Sequence, residues 1–289
     1  MNLCKMLKDI LFSFLVFATG LVAFSYCEKE RIRDRLEVKF FLPLEIAKRG
    51  QAIHGLYNSQ VCIAHGGGLG RVRWRNSKEA VLQSISAGFS IVEVDMLRTT
   101  DGGYIGAHDW VSFRRLSGNK NTGNEAMSYC QAKSARILGR ETPVTFEFLR
   151  EIMSENPSLI IDVDKITDYE YLVRSLPHPD RLMVMTYNEM DYLRALRAGV
   201  RYPVFCVWEG ANVSQAEYYQ YPILRVNARL FGKGDYAKRL KRLHEKGVTI
   251  FALDADVCDE PDFIRENLGQ TCSAIYTERW IPEIFEKMK

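Results

Sequence analysis

Acids stand where a strand should be apolar. In "IVEVDMLRTTDGGYIGAHDW", residues 91–110, Glu93 and Asp95 interrupt an apolar, β-branched run, and His108 and Asp109 follow near its end. Residues two apart share one face of an extended strand, so these two carboxylates point the same way. Side by side they repel, and burying either alone is costly, so something must compensate them. A hard divalent cation, Mg2+ or Ca2+, does so through oxygen ligands. Asp162 in "LIIDVD" offers a third carboxylate, and Asp164 repeats the two-residue spacing. The competing reading is an ion pair with Arg98, or acids turned to solvent at a strand end; recurrence of the pattern in a second strand favours the metal.

Two histidines extend the constellation. His65 directly follows "VCIA" and His108 directly follows "YIGA", so each is expected at a strand end, on the rim that carries the carboxylates. Imidazole titrates near neutrality, and a pair of them suits acid and base work: one takes a proton while the other gives one. Trp110, Tyr187 and Trp208 each come just after such a run and are candidates for a wall against the organic part of a substrate, although aromatic residues there also serve as core lids. "HGGGLG" lacks the spacing of a dinucleotide fingerprint; its glycines suit close approach of a phosphate to the backbone.

These side chains need a scaffold that brings strand ends together. Short apolar runs recur at 61, 90, 104, 159, 181, 203, 223, 248 and 273, separated by helix-like segments such as "SKEAVLQSISAG", "TFEFLREIMSEN", "NEMDYLRALRAG" and "DYAKRLKRLHEKG". Some eight alternations predict an α/β fold of parallel strands with crossover helices, a closed (β/α)8 TIM barrel over 60–289. The Ser-, Gly-, Asn- and Lys-rich stretch 111–143 breaks the rhythm and reads as an insertion.

The 289 residues carry 39 Lys plus Arg against 36 Asp plus Glu, a net +3 that gives no basic field for nucleic acid. Seven cysteines show no CxxC spacing and so no zinc-type pairing. Residues 10–26 are uncharged, which predicts an N-terminal membrane anchor or signal segment over 1–27, followed by a juxtamembrane helix and connector over 28–59. Phe and Tyr where a signal cleavage site wants small residues favour an uncleaved anchor, with the catalytic domain expected outside the cytoplasm.

Taken together, "AGFSIVEVDMLRTTDGGYIGAHDW", "NSKEA", "VTFEFLREI", "LIIDVDK" and "SAIYTERW" resemble the glycerophosphodiester phosphodiesterase family, metal-dependent (β/α)8 barrels related to the spider-venom sphingomyelinase and phospholipase D enzymes. The likeness runs over about residues 60–282. It implies a phosphoric diester hydrolase in which His65 and His108 are the acid–base pair, Glu93, Asp95 and Asp162 bind the metal, and Asp109 is a supporting residue. Three departures stand out. Gly66 replaces an Arg that helps to hold phosphate, Arg75 replaces a Glu, and Asp164 replaces a Lys. Arg75 is therefore a candidate phosphate contact. The implied substrate is a glycerophosphodiester, a lipid headgroup or a glycerol phosphate glycan. The alternatives are a lyase that leaves a cyclic phosphate and a barrel that binds a phosphorylated glycan or lipid without turnover.

Overall fold

The computed structural model describes residues 27–49, 62–70, 72–119 and 123–288. Its strands are β1 (Cys62–Ala64), β2 (Ile91–Arg98), β3 (Tyr104–Gly106), β4 (Ile160–Asp164), β5 (Leu182–Thr186), β6 (Tyr202–Val207), β7 (Ile223–Asn227), β8 (Thr249–Leu253) and β9 (Ala274–Thr277). All but β3 run parallel to their neighbours in the order β1-β9-β8-β7-β6-β5-β4-β2, and Ala64 opposite Val92 joins β1 to β2 and closes the ring. The fold is the expected (β/α)8 barrel.

The helices are α1 over 27–49, then α2 (Lys78–Ser86), α3 (Trp110–Leu116), α4 (Tyr129–Ser134), α5 (Phe146–Glu155), α6 (Tyr169–Ser175), α7 (Glu189–Ala198), α8 (Gly210–Tyr219), α9 (Gly234–Glu245), α10 (Ala255–Cys258), α11 (Pro261–Asn267) and α12 (Pro282–Met288). Side-chain caps start several of them. Ser77 accepts from the Ala80 amide at α2, and Thr145 from the Phe148 amide at α5, satisfying donors that a first turn leaves unpaired. Gly199 ends α7 in the left-handed conformation that a residue without Cβ adopts at little cost.

Alternate strand residues fill the barrel. Ile63, Ile91, Ile160, Met183, Val204, Ile223, Phe251 and Ala274 belong to one buried cluster. The same parity carries Glu93, Asp95, Asp162 and Asp164 inward at the C-terminal half of β2 and β4, where such barrels keep their reactive groups.

The run at 104 is the element the expected rhythm did not separate. Strand β2 continues past Asp95 to Arg98, and β3 turns back antiparallel to it, Tyr104 opposite Arg98 and Gly106 opposite Met96. The Ala107 amide then donates to the Asp95 carbonyl at 3.0 Å. His108 is thus returned to the level of Asp95 by a hairpin. The stretch 111–143, read as an insertion, holds all of α3 but its first residue, and α4.

The expected membrane anchoring, and the localisation built on it, is corrected: no helix among the described residues is long and apolar enough to cross a membrane. Helix α1 is interrupted by charge throughout its first turns, with Arg31 paired to Glu28 and Arg33 to Glu30. The uncharged run 10–26 lies outside the described residues. The chain divides into the units Met1–Leu44 and Glu45–Lys289, and the barrel belongs to the second.

Candidate active site

Carboxylate oxygens of Glu93, Asp95 and Asp164 lie within 4.8 Å of one another, all three residues buried, in an arrangement that can hold a metal ion. Strand register explains the grouping. Asp95 is level with Asp164 and Glu93 with Asp162, one layer deeper, and the extra methylene of Glu93 lets its carboxylate span the layers. Asp162 is not in that group: its Oδ2 accepts the Tyr276 hydroxyl at 2.6 Å, while its Oδ1 is buried with no hydrogen-bond partner.

Backbone and amide groups fix two of the acids. Gly66 donates its amide to Glu93 Oε2 at 2.6 Å from a left-handed turn, with a φ of 59°. Asn76, fully buried, donates its side-chain amide to Asp95 Oδ2 at 2.8 Å and accepts the Asp95 amide at 2.9 Å. Even so, burial and the charges of Asp95, Asp164 and Asp162 push Glu93 well above the usual carboxylate range. Burial, then Asp164, raises Asp95, with His108, Asn76 and His65 opposing. Burial pushes Asp162 up to about 7 against the Tyr276 hydrogen bond and Arg225. Asp164 alone of the four moves down: burial opposes its ionisation, but Arg225, Lys165 and the Tyr187 hydroxyl outweigh it.

Each candidate histidine has a carboxylate on its Nδ1. His65 meets Glu278 Oε1 at 2.7 Å, and His108 meets Asp109 Oδ2 at 2.8 Å. Both imidazoles act electrostatically on Asp95. Asp109 also caps α3, accepting the Ser112 amide at 2.6 Å. Trp74 stacks on the His108 ring with centroids 4.3 Å apart, covering one face of it.

The remaining candidates divide. Tyr187 donates its hydroxyl to Asp164, at 2.6 Å from Oδ2, and with Trp208 flanks the Arg225 guanidinium, which is 5.6 Å from the first ring and 5.3 Å from the second. Trp110 is a core residue instead, packed with Ile105, Phe113 and Leu116. Arg75 is occupied away from the acids: its guanidinium donates to Glu141 at 2.8 and 3.0 Å and to the Leu69 carbonyl at 2.7 Å. Four residues that bear on the site carried no role in the sequence reading: Asn76, Trp74, Glu278 and Arg225. Arg225, from β7, is buried, donates to Asp164 at 3.1 Å and to the Tyr187 hydroxyl at 2.7 Å, and keeps an unpartnered Nε.

No protein-family model matches the sequence, and no curated protein matches it. Solved structures do. A glycerophosphodiester phosphodiesterase from Thermotoga maritima superposes with a TM-score of 0.62 at 18% identity, over 81% of this chain and 100% of its own. A glycerophosphoryl diester phosphodiesterase from Parabacteroides distasonis gives 0.62 at 17%, over 83% and 92%. A phosphodiesterase from Oleispira antarctica, solved with its product sn-glycerol-3-phosphate, gives 0.61 at 16%, over 82% and 99%. The chain has the fold of these proteins across nearly their whole length.

Proposed function

We propose that the chain is a metal-dependent phosphodiesterase acting on a glycerophosphodiester, with His65 and His108 as its acid–base pair. The observation that carries this reading is the convergence, at one end of the barrel, of two carboxylate-partnered imidazoles and a buried three-carboxylate group.

The donor set fits a hard divalent ion, Mg2+ or Ca2+. It is all oxygen, closely spaced, buried, and short of compensating charge, as the upward displacement of Glu93 reflects. Glu93, Asp95 and Asp164 would hold the ion, with Asn76 and the Gly66 amide orienting the first two; Asp162 stands behind them. When bound, the ion neutralises charge on the phosphodiester and polarises it for displacement. One imidazole takes the proton of the attacking water. The other donates a proton to the departing alkoxide, so the products are an alcohol and a phosphomonoester. Tyr187 and Trp208, exposed by 39% and 42%, line the approach to Arg225 and suit the organic part of the substrate.

The Oleispira antarctica structure, holding glycerol phosphate as product, supports a glycerol-bearing diester. Lipid-headgroup diesters and glycerol phosphate glycans share that linkage. Purified protein incubated with representatives of all three, with Mg2+ or Ca2+ and with chelator, and followed by phosphorus NMR, tests the reading. Metal-dependent release of a phosphomonoester is expected. A cyclic phosphate would make the protein a lyase, and no turnover of any diester at saturating metal would reduce it to a binding barrel.

A further inference from the structure

Glu278 lies just beyond β9, two residues after Tyr276, so strand parity turns it inward at the rim. It is separated from His65 by 213 residues in sequence, yet its Oε1 is 2.7 Å from His65 Nδ1, and both side chains are largely buried. Its other oxygen is 3.3 Å from Arg73 Nε, and Arg73 is held in turn by Asp256. The Glu278 carbonyl accepts the Gly70 amide at 2.9 Å, fastening the glycine loop that follows His65. Next to it, Thr277 donates to Asp259 and accepts the Arg279 and Trp280 amides, so the backbone that presents Glu278 is braced on both sides. His65 also faces the edge of Tyr276 and the charges of Asp95 and Asp162.

We propose that Glu278 is the positioning residue that sets the tautomer of His65. A carboxylate at Nδ1 accepts the ring proton there and leaves the Nε2 lone pair to take a proton from the nucleophile; once the imidazolium forms, the same carboxylate stabilises it. Glu278 thereby does for His65, across the closed barrel, what Asp109 does for its chain neighbour His108. The proposal rests on the reading of His65 as a proton-transfer residue.

Histidine 15N NMR on the full chain, with His65 assigned by its absence in His65→Gln, reads the tautomer directly. Neutral wild-type His65 is expected to carry its proton on Nδ1. Glu278→Gln is expected to shift that proton towards Nε2 and lower kcat about a hundredfold or more, the effect of a misplaced histidine tautomer, while KM and divalent-metal affinity stay near wild type. Glu278→Asp should recover part of both the tautomer and the rate. Wild-type His65 protonated on Nε2 overturns the proposal without need of any variant. So does Glu278→Gln with unchanged tautomer and kcat. If Arg73→Met reproduces the loss of rate while the tautomer is retained, Glu278 serves to hold the loop, and the proposal fails. Absence of turnover in the wild type defeats the phosphodiesterase reading instead, and the tautomer still decides the role of Glu278.

Discussion

A buried carboxylate without a cation opposes folding to an extent that depends on pH, and of the four acids in this barrel only Asp164 has an arginine paired with it. Asp162, raised from 3.8 to about 7, favours its neutral form in the folded state. Its contribution to stability is complete below the ordinary carboxylate range and is lost as pH rises from about 4 to about 7, on the order of a few kcal/mol. Glu93 and Asp95 act in the same direction; Asp164, displaced downward, acts in the opposite one and is lost on acidification. A divalent ion held by the ionised group should remove the penalty at high pH and have little to bind at low pH. Thermal melts with chelator are therefore expected to show Tm falling between pH 5 and 8, and added Mg2+ or Ca2+ to raise Tm far more at pH 8 than at pH 5. An equal response at both pH values would mean that the ion binds elsewhere.

At the scale of elements, the β2–β3 hairpin decides where His108 goes, and Gly106 decides how closely β3 can lie. A Cβ built on Gly106 would come within 2.6 Å of the Asn76 carbonyl and 2.7 Å of Val144 Cβ. The Gly106 amide donates to the Val144 carbonyl, and the Val144 amide to the Asn76 carbonyl, so the three segments are laced together. Gly106→Ala should push β3 outward, cost about 1–3 kcal/mol as overpacking does, and lower kcat by displacing His108, while metal affinity falls less, because of the three acids only Asp95 is tied to the strained segments, through Asn76 and Ala107. Denaturant unfolding, steady-state kinetics and calorimetric metal titration read the three effects separately; a normal kcat would show that the hairpin does not position the imidazole. Much of this was legible in the sequence. The spacing of Glu93 with Asp95 and of Asp162 with Asp164 predicted inward acids on two strands, because side-chain parity is a local property. Which of Asp162 and Asp164 joins the other two depends on register between β2 and β4, and no sequence pattern states it. Glu278 and Arg225 were missed because each is a single charge with no spaced partner, although Glu278 lies within the quoted "SAIYTERW". The same parity was available for both: Arg225 follows Ile223 by two and Glu278 follows Tyr276 by two, each continuing an inward-facing series.

At the scale of the whole molecule, repetition made the barrel predictable, since eight strand–helix units leave few ways to close, while the charge economy of its interior is a property of the closed ring. The family resembled here carries Arg and Lys where this chain has Gly66 and Asp164, and the cation that pairs with Asp164 is Arg225, on β7, with β5 and β6 between it and β4 in the ring. Its side chain is 2% exposed and that of Asp164 is 4%, so neither charge is relieved by water. Removing one member of such a pair leaves the other uncompensated, which costs about 3–5 kcal/mol. Arg225→Met should therefore destabilise strongly, and Asp164→Asn should destabilise less, because Tyr187 still meets Arg225. The double variant should be more stable than the sum of the two losses, by an interaction energy of roughly 1–3 kcal/mol. Asp164→Lys, which restores the family's residue, should be worse than Asp164→Asn while Arg225 remains, because it sets two cations together in the barrel, and Arg225→Met should relieve it. Denaturant unfolding of the four proteins in the Arg225/Asp164 cycle, with Asp164→Lys and its double added, measures this. Strict additivity, or an Asp164→Lys variant as stable as wild type, would show that β7 does not balance the acid on β4.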